Sequence, residues 1–393
     1  MTDTTAGELL LDRVRALVPN LRARGQEAER LRRVPQESID ELTEAGVFKM
    51  SVPAEYGGYE LDLATMNEVC AEIARGCCST SWVVATTTAG TWVAGLYPEE
   101  ATKDVFDSDG PCANLVISLR GLPTVSRADG GYRITGQWAF GTSSLHVRFF
   151  NLGVPYVDED GTEDQLVVLL PADQVNVNDD WATTGLRGTG SNSFSVSDVF
   201  VPENRAMRIS ALLSEQYPSK AFRDRELYRA AYVPAFCALS SGTALGGARS
   251  ALEYALQSIH KRGITYTHYQ LQAEAPLTHL QLGEAMLKLA SAQFHGDRAL
   301  AAVQSKAAAV ESMTVEERAE VRADVAYSLR LCQEVVDVCS TVSGASALDE
   351  RNPMQRIARD VHALNLHSVL LPSTNIELYG RVLCGQPPLT PLL

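Results

Sequence analysis

Trp138, Phe140 and Thr142, at alternate positions with Ser143 next in line, form the most chemically suggestive group in this chain. On a strand, alternate side chains share a face. The spacing therefore predicts an aromatic wall beside a hydroxyl donor, a surface suited to a flat heterocycle with hydrogen-bonding edges. An ordinary Trp/Phe core strand has the same spacing. A second group lies between Arg75 and Glu99, a stretch without charge that holds Trp82, Thr88, Gly90 and Trp92 among several more Ser and Thr residues. It is too polar for a lipid-facing helix and suits a helix buried beside a cofactor or substrate. His146 follows the first group closely; its plainer reading is an edge-strand histidine. His367 is a third candidate, because imidazole exchanges protons near neutrality, although taken alone it reads as a satisfied buried histidine. His362 and His367 do not make a metal pair, since five residues on a helix turn the second side chain roughly 140° from the first. No metal is expected.

Elements of two kinds must position these residues. Up to about residue 110 the pattern is helical: Leu10, Val14, Leu17, Val18 and Leu21 make an apolar stripe, Pro35 opens a second helix, and Pro53-Ala-Glu-Tyr-Gly-Gly is a turn. From Tyr132 the period changes to two, with further strands over Val147–Val154, Gln165–Leu170 and Ser193–Val201. After Pro202 helical spacing returns. Thr314 and Glu317 form a capping box, and Val321, Val325, Leu329, Cys332, Val336, Cys339 and Val342 line one face of a long helix. Arg262-Gly263 reads as the end of a helix over Ala251–Lys261. The small-residue run from Gly242 to Ala248 fits close helix packing better than a phosphate loop, which would need a lysine and a preceding strand.

The 393 residues are enough for two or three domains with an ample core. A formal charge of −14 argues against nucleic acid or an anionic membrane as partner. The N-terminus lacks a basic region followed by an apolar core, so a cytoplasmic location is expected. The eight cysteines, with no Cys-x-x-Cys, read as reduced core residues.

Gly185-Leu-Arg-Gly-Thr-Gly-Ser-Asn-Ser-Phe-Ser-Val-Ser-Asp-Val-Phe-Val-Pro202 resembles the signature closing the middle β-domain of acyl-CoA dehydrogenase-fold flavoproteins. Gly136–Ser144 resembles the Trp-x-Phe-x-Ser-Gly segment of the reduced-flavin monooxygenase branch, with Thr142 and Ser143 replacing the usual serine and glycine. The resemblance places Trp138, Phe140, Thr142 and Ser143 beside the flavin ring. It also makes Arg262 a flavin-phosphate ligand, a role its planar charged fork suits. Pro353–Asp360 resembles the Arg-Asp segment after which many acyl-CoA dehydrogenases present Tyr-Glu-Gly. Here His367-Ser368-Val369 stands in that register, so the carboxylate needed to remove an α-proton is missing. Glu253 is the nearest displaced substitute. Leu378–Pro388 resembles the monooxygenase branch's ending. Many phenol-hydroxylating members carry a histidine where this chain has Gly90, which with Thr88 and Thr91 is expected to leave room for a larger substrate or an amine.

The resemblance implies an α+β, acyl-CoA dehydrogenase-like fold: an N-terminal helical domain (1–112), a middle β-barrel or sandwich domain (113–205) and a C-terminal four-helix-bundle domain (206–393). It implies a homotetramer that takes FMNH2 or FADH2 from a separate NAD(P)H:flavin reductase. Oxygen would add at flavin C4a, and one atom of the resulting hydroperoxide would pass to an aromatic or polycyclic metabolite, plausibly of secondary metabolism. Thr142, Ser143 and His367 are its expected catalytic hydrogen-bonding groups. N-oxygenation of an amine or amino sugar, acyl-CoA oxidation with a displaced base and a non-catalytic ligand-binding role are the alternatives.

Overall fold

The computed structural model describes residues 3–117, 121, 123–158 and 160–393. The chain begins with helices α1 (Asp3–Leu31), α2 (Gln36–Ala45), α3 (Leu63–Gly76), α4 (Cys78–Ala94) and α5 (Glu99–Thr102). Strands follow: β1 (Ala113–Val116), β2 (Thr124–Ala128), β3 (Gly131–Trp138), β4 (Phe149–Val157), β5 (Glu163–Pro171), β6 (Asn176–Val177), β7 (Phe194–Pro202) and β8 (Ala206–Arg208). The chain returns to helix in α6 (Ile209–Leu213), α7 (Glu226–Arg229), α8 (Tyr232–Ser258), α9 (Pro276–Ala309), α10 (Val315–Ser343), α11 (Pro353–Leu364) and α12 (Pro372–Leu383). This is the helical, β, helical order read from the periodicity.

The strands form two four-stranded sheets, ordered β1-β4-β5-β8 and β2-β3-β7-β6. Their inner faces share a core of Ile134, Trp138, Phe150, Val154, Val168 and Phe194, as the alternation of a sandwich requires. The outer face of the first sheet packs on the helices: Ala113, Phe149, Val167 and Leu169 belong to the helical core. The Tyr97 hydroxyl crosses that seam to the Val167 carbonyl at 2.9 Å.

Helix packing follows the sequence closely. All seven apolar positions of the Val321–Val342 stripe on α10 are buried, and Thr314 and Glu317 close the capping box at its start. Gly246 of α8 lies so close to α3 that a Cβ there would stand 2.0 Å from the Ala71 carbonyl oxygen. The expected end of α8 is corrected. The helix stops at Ser258, and Arg262 lies in a loop closed by Gln272 N–H on the Arg262 carbonyl (2.8 Å) and Ile264 N–H on the Tyr269 carbonyl (3.2 Å). Seven of the eight cysteines are buried and Cys384 is exposed. Among the described residues, no helix is long and apolar enough to cross a membrane.

Candidate flavin and substrate site

The expected aromatic wall divides into two parts. Strand β3 ends at Trp138, whose ring is fully buried, stacks on Phe194 at 5.8 Å and donates its Nε1–H to the Gly153 carbonyl at 2.8 Å. Trp138 is a core residue and shares no face with Phe140. Beyond it the backbone turns at Phe140 (φ +58°), which leaves that ring 64% exposed and edge-on to Trp181 at 6.1 Å. The turn is sterically set: Gly141 donates its N–H to Asn192 O at 3.0 Å, and a Cβ on it would meet the Phe194 ring at 2.6 Å. An exposed Phe140 and a Trp181 anchored through its Nε1–H to the Leu186 carbonyl (3.1 Å) are the available ring-stacking surface.

Behind Phe140 the hydroxyls are buried and connected. Thr142 Oγ1 lies 2.7 Å from Ser191 Oγ, Ser191 Oγ lies 2.7 Å from Thr189 Oγ1, and Thr189 donates to the Leu186 carbonyl at 2.8 Å. Ser143, at φ +63°, turns its own hydroxyl onto the Thr142 carbonyl at 2.5 Å, which Asn114 Nδ2 also reaches at 3.1 Å. The glycine loop that carries this chain is held by α11. Asp360, 1% exposed, accepts the Leu186 N–H at 2.7 Å and the Ser79 hydroxyl at 3.3 Å. Arg359 donates to the Thr184 carbonyl, and Gly185 fits only because a Cβ there would stand 2.2 Å from Arg359 O. Burial raises the Asp360 carboxyl to about 6. Sequence reasoning used the Arg-Asp pair only to set register and missed this contact.

The substrate candidates gather between α4 and α8. His367 stands 5.3 Å from Trp82, edge-on, and 6.1 Å from Phe236; Tyr232 continues the row from Phe236 to Trp92. Phe236 and Tyr232, one turn apart on α8, are members the sequence reading missed; their aromatic i, i+4 spacing at the start of that helix was the available signal. Thr86, one turn beyond Trp82, is the sole residue of α4 that is not buried, and Phe236 holds the same position in the first half of α8. Thr86, Phe236 and His367 are thus partly exposed residues in contact with Trp82. Thr88 Oγ1 and Trp92 Nε1, further along α4, are buried without a hydrogen-bond partner among the described residues.

Two expectations change here. His367 lies three residues beyond the end of α11, so it does not share a helix with His362. Its Nδ1 is buried without a partner, and burial lowers the imidazole to about 4. A group lowered this far is uncharged at neutral pH and offers a hydrogen bond. Gly90 opens no space: a Cβ there would lie 2.4 Å from the backbone of Asn114 and 2.5 Å from Ala113 O. The gap a missing side chain leaves on α4 is filled by β1.

The remaining candidates stand apart. His146, lowered to about 4 by burial and by nearby Arg33, has a buried, unpartnered Nε2, and ring contacts join it to none of Trp82, Phe236 or His367. Arg262 donates to Gln272 Oε1 (3.2 Å), Ser346 Oγ (2.8 Å) and Val342 O (2.8 Å), tying its loop to the end of α10. A guanidinium has five N–H groups, so two remain for a phosphate. Glu253 is held by Arg22 (2.9 Å) and Arg75 (2.8 Å). Seventeen residues along α8 separate it from Phe236, about 25 Å at 1.5 Å per residue, too far to act as a base beside Trp82. Among the described residues, no group of three or more His, Cys, Asp or Glu is placed to hold a metal ion.

Comparison with known proteins bears on the family and the fold. Residues 4–106 match the acyl-CoA dehydrogenase N-terminal domain and residues 238–372 the acyl-CoA dehydrogenase C-terminal domain. A pigment production hydroxylase of Rhodococcus sp. is 30% identical over 391 residues, covering 100% of both chains. The chain belongs to the flavin-dependent monooxygenases of acyl-CoA dehydrogenase fold. Another relative, the oxygenase component of an FADH2-dependent resorcinol hydroxylase from Rhizobium sp., is 28% identical over 96% of this chain and 95% of its own. Among solved structures, XiaF from Streptomyces sp., in complex with FADH2 and glycerol, superimposes with a TM-score of 0.92 at 30% identity, covering 100% of this chain and 98% of that one. This monooxygenase thus keeps the family fold over its whole described length.

Proposed function

We propose that the protein is the oxygenase component of a two-component system that hydroxylates an aromatic or polycyclic small molecule, using reduced flavin made by a separate NAD(P)H:flavin reductase. The observation that carries this reading is the tie between the two halves of the site. Asp360 joins the loop behind Phe140 and Thr142 to Ser79, three residues before Trp82, and α11 ends three residues before His367. Bound reduced flavin would supply the two electrons that activate O2, one atom of which passes to the substrate while the other leaves as water. The exposed Phe140 ring and Trp181 present a stacking face, and the spare N–H groups of Arg262 suit the flavin phosphate. Trp82 and Phe236 offer apolar faces to an aromatic ring, and enclosure there would keep water from the reacting centre. Neutral His367 offers a hydrogen bond there without bringing a positive charge.

The relatives named as resorcinol and p-hydroxyphenylacetate hydroxylases support an aromatic substrate. The argument for an amine or for a larger substrate rested on space at Gly90, which β1 occupies. Leu280, Leu287 and Phe294 repeat at seven-residue intervals on α9 and are 62–72% exposed, with Leu277 beside them. An apolar stripe of that length supports burial against another copy, as in a homotetramer. The test is a reductase-coupled assay under 18O2 with phenols, fused aromatics and amines. Label in a hydroxylated aromatic supports the reading; label in amines alone, or turnover of an acyl-CoA without reductase, overturns it.

A further inference from the structure

The hydroxyl chain behind Phe140 has a fixed direction. The Leu186 carbonyl can only accept, so Thr189 commits its single hydroxyl proton there, at 2.8 Å. The Thr189–Ser191 contact then has Ser191 as donor, and the Ser191–Thr142 contact has Thr142 as donor, each at 2.7 Å. No other orientation satisfies all three contacts. Thr142, expected as a donor, is left with lone pairs only. Exposure rises along the chain, from 1% at Thr189 to 4% at Ser191 and 9% at Thr142, so Thr142 is its open end. The neighbouring donors are committed as well, because Ser143 Oγ and Asn114 Nδ2 both point to the Thr142 carbonyl. The far end of the relay is fixed by the Asp360 bond to the Leu186 amide.

Resting on the flavin site proposed above, we propose that Ser191 and Thr189 set the redox-state specificity of that site: by holding Thr142 as an acceptor, they select reduced over oxidised flavin. In this arrangement N5 of the ring faces the open Thr142 hydroxyl: the reduced ring would offer an N–H there, whereas oxidised N5 is itself a bare acceptor. An acceptor meeting an acceptor in a buried site leaves both unsatisfied, which is worth about tenfold or more in affinity. An enzyme fed by reduced flavin diffusing from a separate reductase would thereby release spent flavin and avoid occupation by the oxidised pool. Neither Ser191 nor Thr189 needs to touch the flavin; both act through Thr142 as positioning residues.

Anaerobic titration with dithionite-reduced FMN and FAD, and aerobic titration with the oxidised forms, gives the ratio of dissociation constants without any turnover. The wild-type protein should bind a reduced form at least about tenfold more tightly than its oxidised form. Ser191→Ala releases the Thr142 hydroxyl to rotate and donate, and should narrow that ratio about tenfold through tighter oxidised-flavin binding. Ser191→Thr, which keeps the relay, should restore it. Thr189→Val frees the same proton one step further back and provides the test if Ser191→Ala does not fold, as judged by circular dichroism. A loss of general integrity would weaken both redox states alike and leave the ratio unchanged. An unchanged ratio in the folded variants, or equal wild-type affinities, overturns the proposal while leaving the flavin site standing. Failure to bind flavin in either state overturns the site itself and the proposal with it.

Discussion

The Leu186 amide donates to the Asp360 carboxylate at 2.7 Å, so the glycine loop behind the candidate flavin face hangs from the helix that leads to His367. Leu186 is itself in the left-handed region, at φ +48°, where a bulky residue is held only by its surroundings. Asp360→Ala removes the anchor and exposes a buried amide to no partner, so it should destabilise the protein by about 2–3 kcal/mol and speed hydrogen exchange at Leu186. Asp360→Asn, which keeps an acceptor, should recover part of the loss. Unchanged exchange at Leu186 in the alanine variant would remove the anchor from the argument.

The same carboxyl makes stability pH-dependent. Its folded value of about 6 lies above the ordinary aspartate value of about 3.9. The folded state therefore holds more proton between those limits, and the stability this group contributes below pH 4 is lost as pH rises to about 6. Urea midpoints of the wild type measured against Asp360→Asn should show the wild type losing ground across that window and no further change above it. A difference that grows with rising pH would contradict the assigned direction.

His367, at about 4, is already neutral at pH 6. Coupling of NAD(P)H oxidation to product should therefore be flat in this residue from pH 6 to 8. His367→Ala should lower coupling by about tenfold or more through the lost hydrogen bond, with the excess appearing as hydrogen peroxide and the protein still folded by circular dichroism. A wild-type coupling step near pH 6.5 that vanishes in His367→Ala would show that the imidazole titrates in the working range.

Gly90 tests the packing of α4 on β1. Gly90→Ala places a methyl group 2.4 Å from the Asn114 backbone, and forcing the strand away should cost about 1–3 kcal/mol. Thermal denaturation reads this directly. A neutral substitution would mean that β1 yields and that space for substrate exists there after all.

Phe236→Ala should make more room beside Trp82. The expected result is a raised KM for a single-ring substrate and acceptance of a bulkier fused ring, with affinity for reduced flavin unchanged. Equal losses for both ring sizes would place Phe236 in general packing.

Periodicity located the α10 face, the α1 stripe and strands β3, β4, β5 and β7, because buried stripes and alternation are written directly into residue order: the Val321–Val342 face and the Thr314 cap appear as read, whereas α9, most of α8 and the strands β1, β2, β6 and β8 carry no pattern that was read. What periodicity could not reveal was where a strand stops. Trp138 and Phe140 satisfy the alternation, yet the positive φ at Phe140 depends on Gly141 fitting against Phe194, a contact across the sheet. Gly90 was misread for the same reason, since a glycine on a helix signals either a gap or a close approach and only the facing strand decides which. The Thr142–Ser191–Thr189 chain joins residues 49 positions apart, and nothing local marks it. Phe236 had a local signal in its spacing from Tyr232, but no partner in sequence pointed to His367.

The buried cysteines bear on how such an enzyme survives its own chemistry. Uncoupled turnover of reduced flavin with oxygen yields hydrogen peroxide, which attacks thiolates and largely spares thiols. Burial pushes Cys70, Cys332 and Cys339 up to about 12, and Cys112 and Cys237 up to about 11. At neutral pH these groups are almost wholly protonated as well as shielded. Oxidative wear should therefore concentrate on the exposed Cys384 near the C-terminus, at a distance in sequence from every residue of the site.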